Sequence, residues 1–135
     1  MLELTSAYSV FANMGSRAEP IFITKITDKA RNIIEEISPT VQPILSPQTA
    51  YIMTNLLQGV IQEGTGQMAK ALGRPVAGKT GTTNDLNDAW FIGFTPDIVA
   101  GAWIGYDDER PLGHMETGAR AALPIWLTFM QKVLD

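Results

Sequence analysis

Gly73-Arg74-Pro75-Val76-Ala77-Gly78-Lys79-Thr80-Gly81-Thr82-Thr83 decides how the rest of this chain is read, because the string carries two incompatible motifs. From Gly73 it fits G-x-x-x-x-G-K-[ST], the loop in which backbone N–H groups and a lysine surround nucleotide phosphates. From Lys79 it reads Lys-Thr-Gly-Thr, and strand alternation would put both threonine hydroxyls on one face with a glycine between them.

The surroundings favour the strand. A phosphate loop leaves a buried strand and opens into a helix whose N-terminus supplies much of the anion binding. Here the order is reversed: Gln67 to Leu72 are helix formers, whereas Gly81 to Asp85 are poor ones. A nucleotide hydrolase also needs an apolar strand ending in a magnesium-holding aspartate. The nearest candidate, Asp97, follows Thr95-Pro96, a turn signal. A P-loop nucleotide-binding enzyme is therefore the alternative reading, and ATP or GTP binding is not expected. Gly64-Thr65-Gly66-Gln67-Met68-Ala69 fits G-x-G-x-x-A, but it follows a helical stripe ending at Val60-Ile61 and reads as a helix-ending glycine pair.

The 135 residues suffice for one domain, or a large part of one, that removes about two-thirds of the unfolded chain's surface from water. A net charge of -4 leaves no basic footprint for nucleic acid or an anionic membrane surface. With no cysteine and a single histidine, His114, soft ligands are too few for a zinc site. Neither a metal nor a cofactor is expected. No apolar run approaches the ~20 residues of a membrane span, and Met1-Leu2-Glu3-Leu4 lacks the pattern of a signal peptide. This segment is expected to make no membrane contact. An amphipathic pattern is already running at Met1, which reads as a boundary inside a longer protein.

Leu4, Tyr8, Phe11 and Met14 recur at helical spacing with Ala7 on the same face, and Gly15 follows, which predicts a helix over 2–14. The runs Ile21 to Thr27 and Asn32 to Ile37 flank a polar turn at Asp28-Lys29-Ala30-Arg31 and predict a short hairpin. Pro39 and Pro43 predict a loop. Ser46-Pro47 starts a helix, with a capping hydroxyl followed by proline at the first helical position. Its stripe is Ala50, Met53, Leu57, Val60 and Ile61, and it runs to about Glu63. After a short helical piece come three strand-like runs, Val76 to Thr82, Asp88 to Phe94 and Ile98 to Tyr106, with turn-rich connections that predict an antiparallel meander. A loop from Asp107 to Arg120 precedes a last helix with apolar positions Trp126, Met130, Val133 and Leu134. The fold class is α+β, helices packed on a three-stranded antiparallel meander, in a single unit over residues 1–135.

Motif, order and spacing together carry a resemblance that spans nearly the whole chain. Its segments are Ser46 to Tyr51, Gln58 to Gly66, Gly73 to Asn84, Asp88 to Pro96 and Gly105 to Asp108. They resemble the C-terminal half of the transpeptidase domain of class A, bifunctional penicillin-binding proteins, the penicillin-binding protein 1A group. The fold implied is part of the penicillin-recognising serine-enzyme class shared by β-lactamases and transpeptidases.

The resemblance implies a peptidoglycan D,D-transpeptidase in which a serine is acylated by a stem peptide, releases terminal D-alanine and passes the acyl group to an amine on another strand. Penicillins would acylate the same serine. By motif position Lys79 would place positive charge beside the nucleophile, and the N–H of Thr82 would face the developing oxyanion. Thr80 and Thr82, with Gly81 and Thr83 beside them, would bind the substrate's terminal carboxylate. Partners implied are stem peptides and penicillins. The implied location is the extracytoplasmic face of the bacterial inner membrane.

The family's nucleophile lies in S-x-x-K and a second motif is S-x-N, yet Ser6, Ser9, Ser16, Ser38 and Ser46 show neither spacing. The part bearing the nucleophile is thus expected to be absent, leaving this chain inactive alone. Two sheet strands that the family contributes from before the nucleophile would be missing too, so the chain is expected to self-associate or rearrange around its open sheet edge. A noncatalytic binding or assembly module of the same fold is a further alternative. Ala119 stands where relatives commonly show a second glycine in Glu116-Thr117-Gly118-Ala119. Trp90, Trp103 and Trp126 sit in apolar runs and read as core. His114 reads as a loop residue, and Asp107, Asp108 and Glu116 as solvated acids.

Overall fold

The β-branched and aromatic residues of Asp88–Phe94 form the middle strand of the central sheet because both of their faces find apolar cover. The computed structural model describes residues 1–134. In it β5 (Ala77–Thr82), β6 (Asp88–Phe94) and β7 (Val99–Gly105) make an antiparallel sheet in the order β5-β6-β7. The register pairs Lys79 with Ile92, Gly81 with Trp90, and Trp90 with Trp103. The predicted meander is therefore present, one residue shorter at the start of its first strand and at each end of its third. Among the described residues no strand pairs with the outer edge of β5 or of β7.

One face of the sheet carries the main core. Phe91 and Ala89 of β6 and Ala102 of β7 pack against Leu123, Trp126 and Met130 of α3 (Leu123–Leu134). Trp126 is 1% exposed, meets Phe91 edge-on at 5.0 Å, and donates its indole N–H to the carbonyls of Gly93 and Ala100 at 3.3 and 3.0 Å. On the other face Leu57 of α2 (Pro47–Gln62) meets Ala77 and Phe94, with Tyr8 and Phe11 of α1 (Leu2–Ala12) alongside.

α2 starts as its sequence dictates. Ser46 lies in extended conformation, its hydroxyl accepts the N–H of Thr49 at 3.1 Å, and Pro47 occupies the first turn. Ala50, Leu57 and Ile61 are its buried stripe, while Met53 and Val60 are half-buried.

Several expectations need correction. α1 ends at Ala12, and its buried residues are Ser6 and Val10; Leu4 and Met14 of the predicted stripe are exposed. The helix stops because Met14 and Gly15 both take positive φ, with the N–H of Gly15 bonded to the carbonyl of Val10. The loop predicted around Pro39 and Pro43 contains a strand, β4 (Val41–Pro43), paired with β1 (Ser16–Ala18). The carbonyl of Gly15 accepts the N–H groups of Ile44 and Leu45 and so brings the distant segments together. Proline is tolerated there because the pair has only edges.

The hairpin is shorter than its apolar runs, comprising β2 (Lys25–Thr27) and β3 (Ile33–Glu36) with a shift of register between Ile26 and Thr27. The loop after β7 ends in a single π turn, Gly118–Ala122, that leads into α3. In α3 Leu123 joins the buried face and Val133 is exposed. Of the three tryptophans only Trp126 is core. Trp90 is half-buried and Trp103 is 39% exposed, its indole N–H donating to the Asp88 carboxylate at 2.7 Å.

The hydrogen bonding of the hairpin turn makes it an expected site of acid sensitivity. The carboxylate of Asp28 accepts the side-chain and backbone N–H groups of Asn32, both at 2.8 Å, and these bonds hold its pKa below the ordinary carboxylate value. A depressed folded pKa contributes stability that is present above the unfolded value and lost as pH falls through the folded one. Acidification below about pH 4 is expected to loosen this turn, read as a lower amide protection factor at Asn32. Asp28→Ala should abolish that pH dependence, and an unchanged profile would refute it.

Candidate active site

The string from Gly73 to Thr83 passes from a short connection into a strand and does not lead into a helix. Gly73 terminates a short 3₁₀ helix (Gln67–Leu72) in left-handed conformation, φ 68°, and Lys79, Thr80, Gly81 and Thr82 all lie within β5. The chain then turns at Thr83 to Asn87 and enters β6. Among the described residues β5 runs into β6 and not into a helix, so the strand-loop-helix order of a phosphate cradle is not formed at Lys79-Thr80.

β5 is an outer strand, and the ladder fixes which of its groups face outward. The N–H of Thr83 donates to the carbonyl of Asp88 at 3.1 Å, so alternation along the antiparallel pair turns the N–H and C=O of Thr82 and Thr80 toward the free edge. The ammonium of Lys79, on an exposed side chain, donates to the carbonyl of Thr80 at 2.8 Å. That contact brings the cation to the free edge.

The two threonine side chains share the face opposite Lys79 and each has a different partner. The Thr80 hydroxyl lies 2.6 Å from the hydroxyl of Thr65. The Thr82 hydroxyl accepts the N–H of Gly118 at 3.0 Å and retains its own proton for donation. Gly118 sits directly on the backbone of Gly81 and Trp90, where a Cβ would collide with the carbonyl oxygens of both. A glycine is required there by close approach, and its neighbour Ala119 fits within the π turn without positive φ.

Thr83 has a bracing role. Its hydroxyl accepts the N–H groups of Asn87 and Asp88 at 3.0 and 2.9 Å, closing the turn between β5 and β6. The residues from Lys79 to Thr83 line a groove of about 300 Å³ with Leu4, Tyr8, Trp90 and Ile92. Burial pushes the Tyr8 phenol above its ordinary pKa, so at neutral pH it remains an uncharged donor and acceptor. Asp107 and Asp108 are exposed, as is His114, all in the loop after β7.

Sequence reading singled out Lys79 through Thr83 and did not bring Thr65 or Gly118 against them. The signal for Thr65 was present in the Gly64-Thr65-Gly66 turn. What joined it to Thr80 is a contact across 15 residues that no local pattern encodes.

Comparisons with known proteins bear on the family and the fold. Residues 1–107 match the family model for the penicillin binding protein transpeptidase domain. A relative named penicillin-binding protein 1A from Aquifex aeolicus is 47% identical over 132 residues, covering 98% of this chain and 18% of the relative. Its counterpart from Neisseria lactamica is 42% identical over 139 residues, covering 98% and 17%. The crystal structure of penicillin-binding protein 1A from Haemophilus influenzae superimposes with a TM-score of 0.93 at 28% identity, covering 99% of this chain and 26% of that one. The chain thus spans less than one-fifth of the length of those two relatives. An outer strand bearing Lys-Thr-Gly-Thr, the sheet behind it and a family match over 107 of 135 residues lead to one conclusion: the chain belongs to the penicillin-binding protein transpeptidase domain family.

Proposed function

We propose that this chain is the C-terminal half of a serine-type D,D-transpeptidase domain that cross-links peptidoglycan stem peptides and is acylated by penicillins. The observation that carries this reading is the free edge of β5, where the Lys79 ammonium lies beside the outward-turned backbone groups of Thr80 and Thr82, with the two threonine hydroxyls on the opposite face of the same strand. Such an edge suits a ligand that lies alongside it and ends in a carboxylate.

In the reaction, the serine oxygen attacks the carbonyl carbon of the penultimate D-alanine. The amide bond then breaks, and terminal D-alanine leaves with the proton. An amine of a neighbouring strand attacks the resulting ester and regenerates the serine hydroxyl. Lys79 stabilises the deprotonated nucleophile by its charge, and the N–H of Thr82 meets the oxyanion. Thr80 and Thr82 donate to the carboxylate of the leaving D-alanine. Gly81 keeps the strand edge open, and Thr83 holds the following turn. Because no serine here has the S-x-x-K spacing, the nucleophile is contributed by sequence outside these residues, on the extracytoplasmic side of the inner membrane.

Fluorescent penicillin followed by denaturing electrophoresis tests the reading. The chain alone is expected to remain unlabelled, and a complete domain containing it is expected to carry one adduct on the serine of an S-x-x-K motif. A complete domain that penicillin does not label would remove the transpeptidase reading. A label on Ser6, Ser9, Ser16, Ser38 or Ser46 would show that the chain supplies its own nucleophile.

A further inference from the structure

We propose that Thr65 is a positioning residue that orients the Thr80 hydroxyl toward a ligand carboxylate, an inference that rests on the transpeptidase reading above. The two hydroxyl oxygens are 2.6 Å apart, so one must donate its proton to the other. A hydroxyl has a single proton and two lone pairs. If Thr80 donated to Thr65, a carboxylate arriving at Thr80 would meet only lone pairs. A carboxylate therefore selects the opposite arrangement, with Thr65 donating to Thr80 and Thr80 donating outward. Donation from Thr65 also polarises the Thr80 hydroxyl and makes it a better donor.

The turn that carries Thr65 is built to hold it in place. The N–H groups of Gly64 and Gly66 bond to the carbonyls of Gly59 and Val60 at 3.2 and 3.0 Å, folding the turn back on the end of α2. A Cβ on Gly64 would lie 2.9 Å from the Val60 backbone, so the close approach requires glycine. Lys70 donates its ammonium to the carbonyl of Gln62 at 2.6 Å and Gln67 its amide to that of Glu63 at 3.3 Å, which secures the same helix end. Thr65 itself is exposed and forms no part of the core, so its anchored hydroxyl serves Thr80 and not packing.

The test measures acylation of the complete domain by benzylpenicillin and by its methyl ester, which lacks the carboxylate. Thr65→Ala should slow acylation by the acid about three- to tenfold, the worth of one hydrogen bond, and leave the ester rate and the thermal midpoint unchanged. Thr65→Ser should restore the acid rate. Thr80→Val should lose the acid preference, and adding Thr65→Ala to it should have no further effect, because the two residues act as a unit. Equal slowing of acid and ester by Thr65→Ala would assign it a structural role and overturn the proposal. So would a silent Thr65→Ala beside a selective Thr80→Val, which would leave the transpeptidase reading intact. A wild-type domain acylated by neither compound would remove the transpeptidase reading and the role of Thr65 with it.

Discussion

Lys79→Ala in a complete transpeptidase domain is expected to slow acylation by penicillin about 100-fold or more, the usual cost of removing a positioned electrostatic group from an acyl-transfer site. The fold should tolerate the change. The Lys79 side chain is exposed, and its hydrogen bond is to the carbonyl of Thr80 at the strand edge, a group that water can satisfy once the ammonium is gone. Stopped-flow acylation, with circular dichroism to verify folding, separates the two effects. Lys79→Arg keeps a charge but changes its shape and reach, so it should recover only part of the rate. A folded Lys79→Ala domain with unaltered acylation kinetics would exclude Lys79 from the mechanism.

Trp126→Ala should cost about 3–5 kcal/mol of folding stability, the range for deleting a large buried aromatic. Two effects add. The substitution empties the space between α3 and the sheet beside Phe91, and it leaves the carbonyls of Gly93 and Ala100 without their indole donor. Because whole domains are stable by only about 5–15 kcal/mol, much of the chain should be unfolded at low denaturant. Trp103→Ala provides the contrast, since that ring is 39% exposed and its indole bonds to Asp88 near the surface. Denaturant midpoints followed by far-ultraviolet circular dichroism would measure both. A loss at Trp126 no greater than at Trp103 would place the core elsewhere.

Contrasts of that kind mark where local pattern stops being informative. The tryptophans at 90, 103 and 126 all sit in apolar runs, yet only the one on α3 is enclosed. Burial depends on what lies across from a residue, and period-2 alternation says which residues share a face without saying which face is covered. The same limit explains α1. Leu4 and Met14 have the spacing of a buried stripe with Tyr8 and Phe11, but only the latter two pack on the core, beside the buried Ser6 and Val10, and the helix stops before Met14. The β1–β4 pair was invisible for another reason. Its strands have three residues each and lie far apart in sequence, and Pro43 argues against a strand until the open edge beside it is known.

By itself the sequence determined the meander of β5, β6 and β7, the capped start of α2 at Ser46-Pro47, and the choice of a strand over a phosphate loop at Lys79. Those features are written in short-range chemistry: alternation, turn residues and capping hydroxyls act over a few positions. Only the tertiary structure decided that Thr65 meets Thr80, that Gly118 lies on Gly81 and donates to Thr82, and that Tyr8 lines the groove. Each of these joins elements separated by many residues, and such contacts arise from how α1, α2 and the loop before α3 pack around the sheet, which no local propensity specifies.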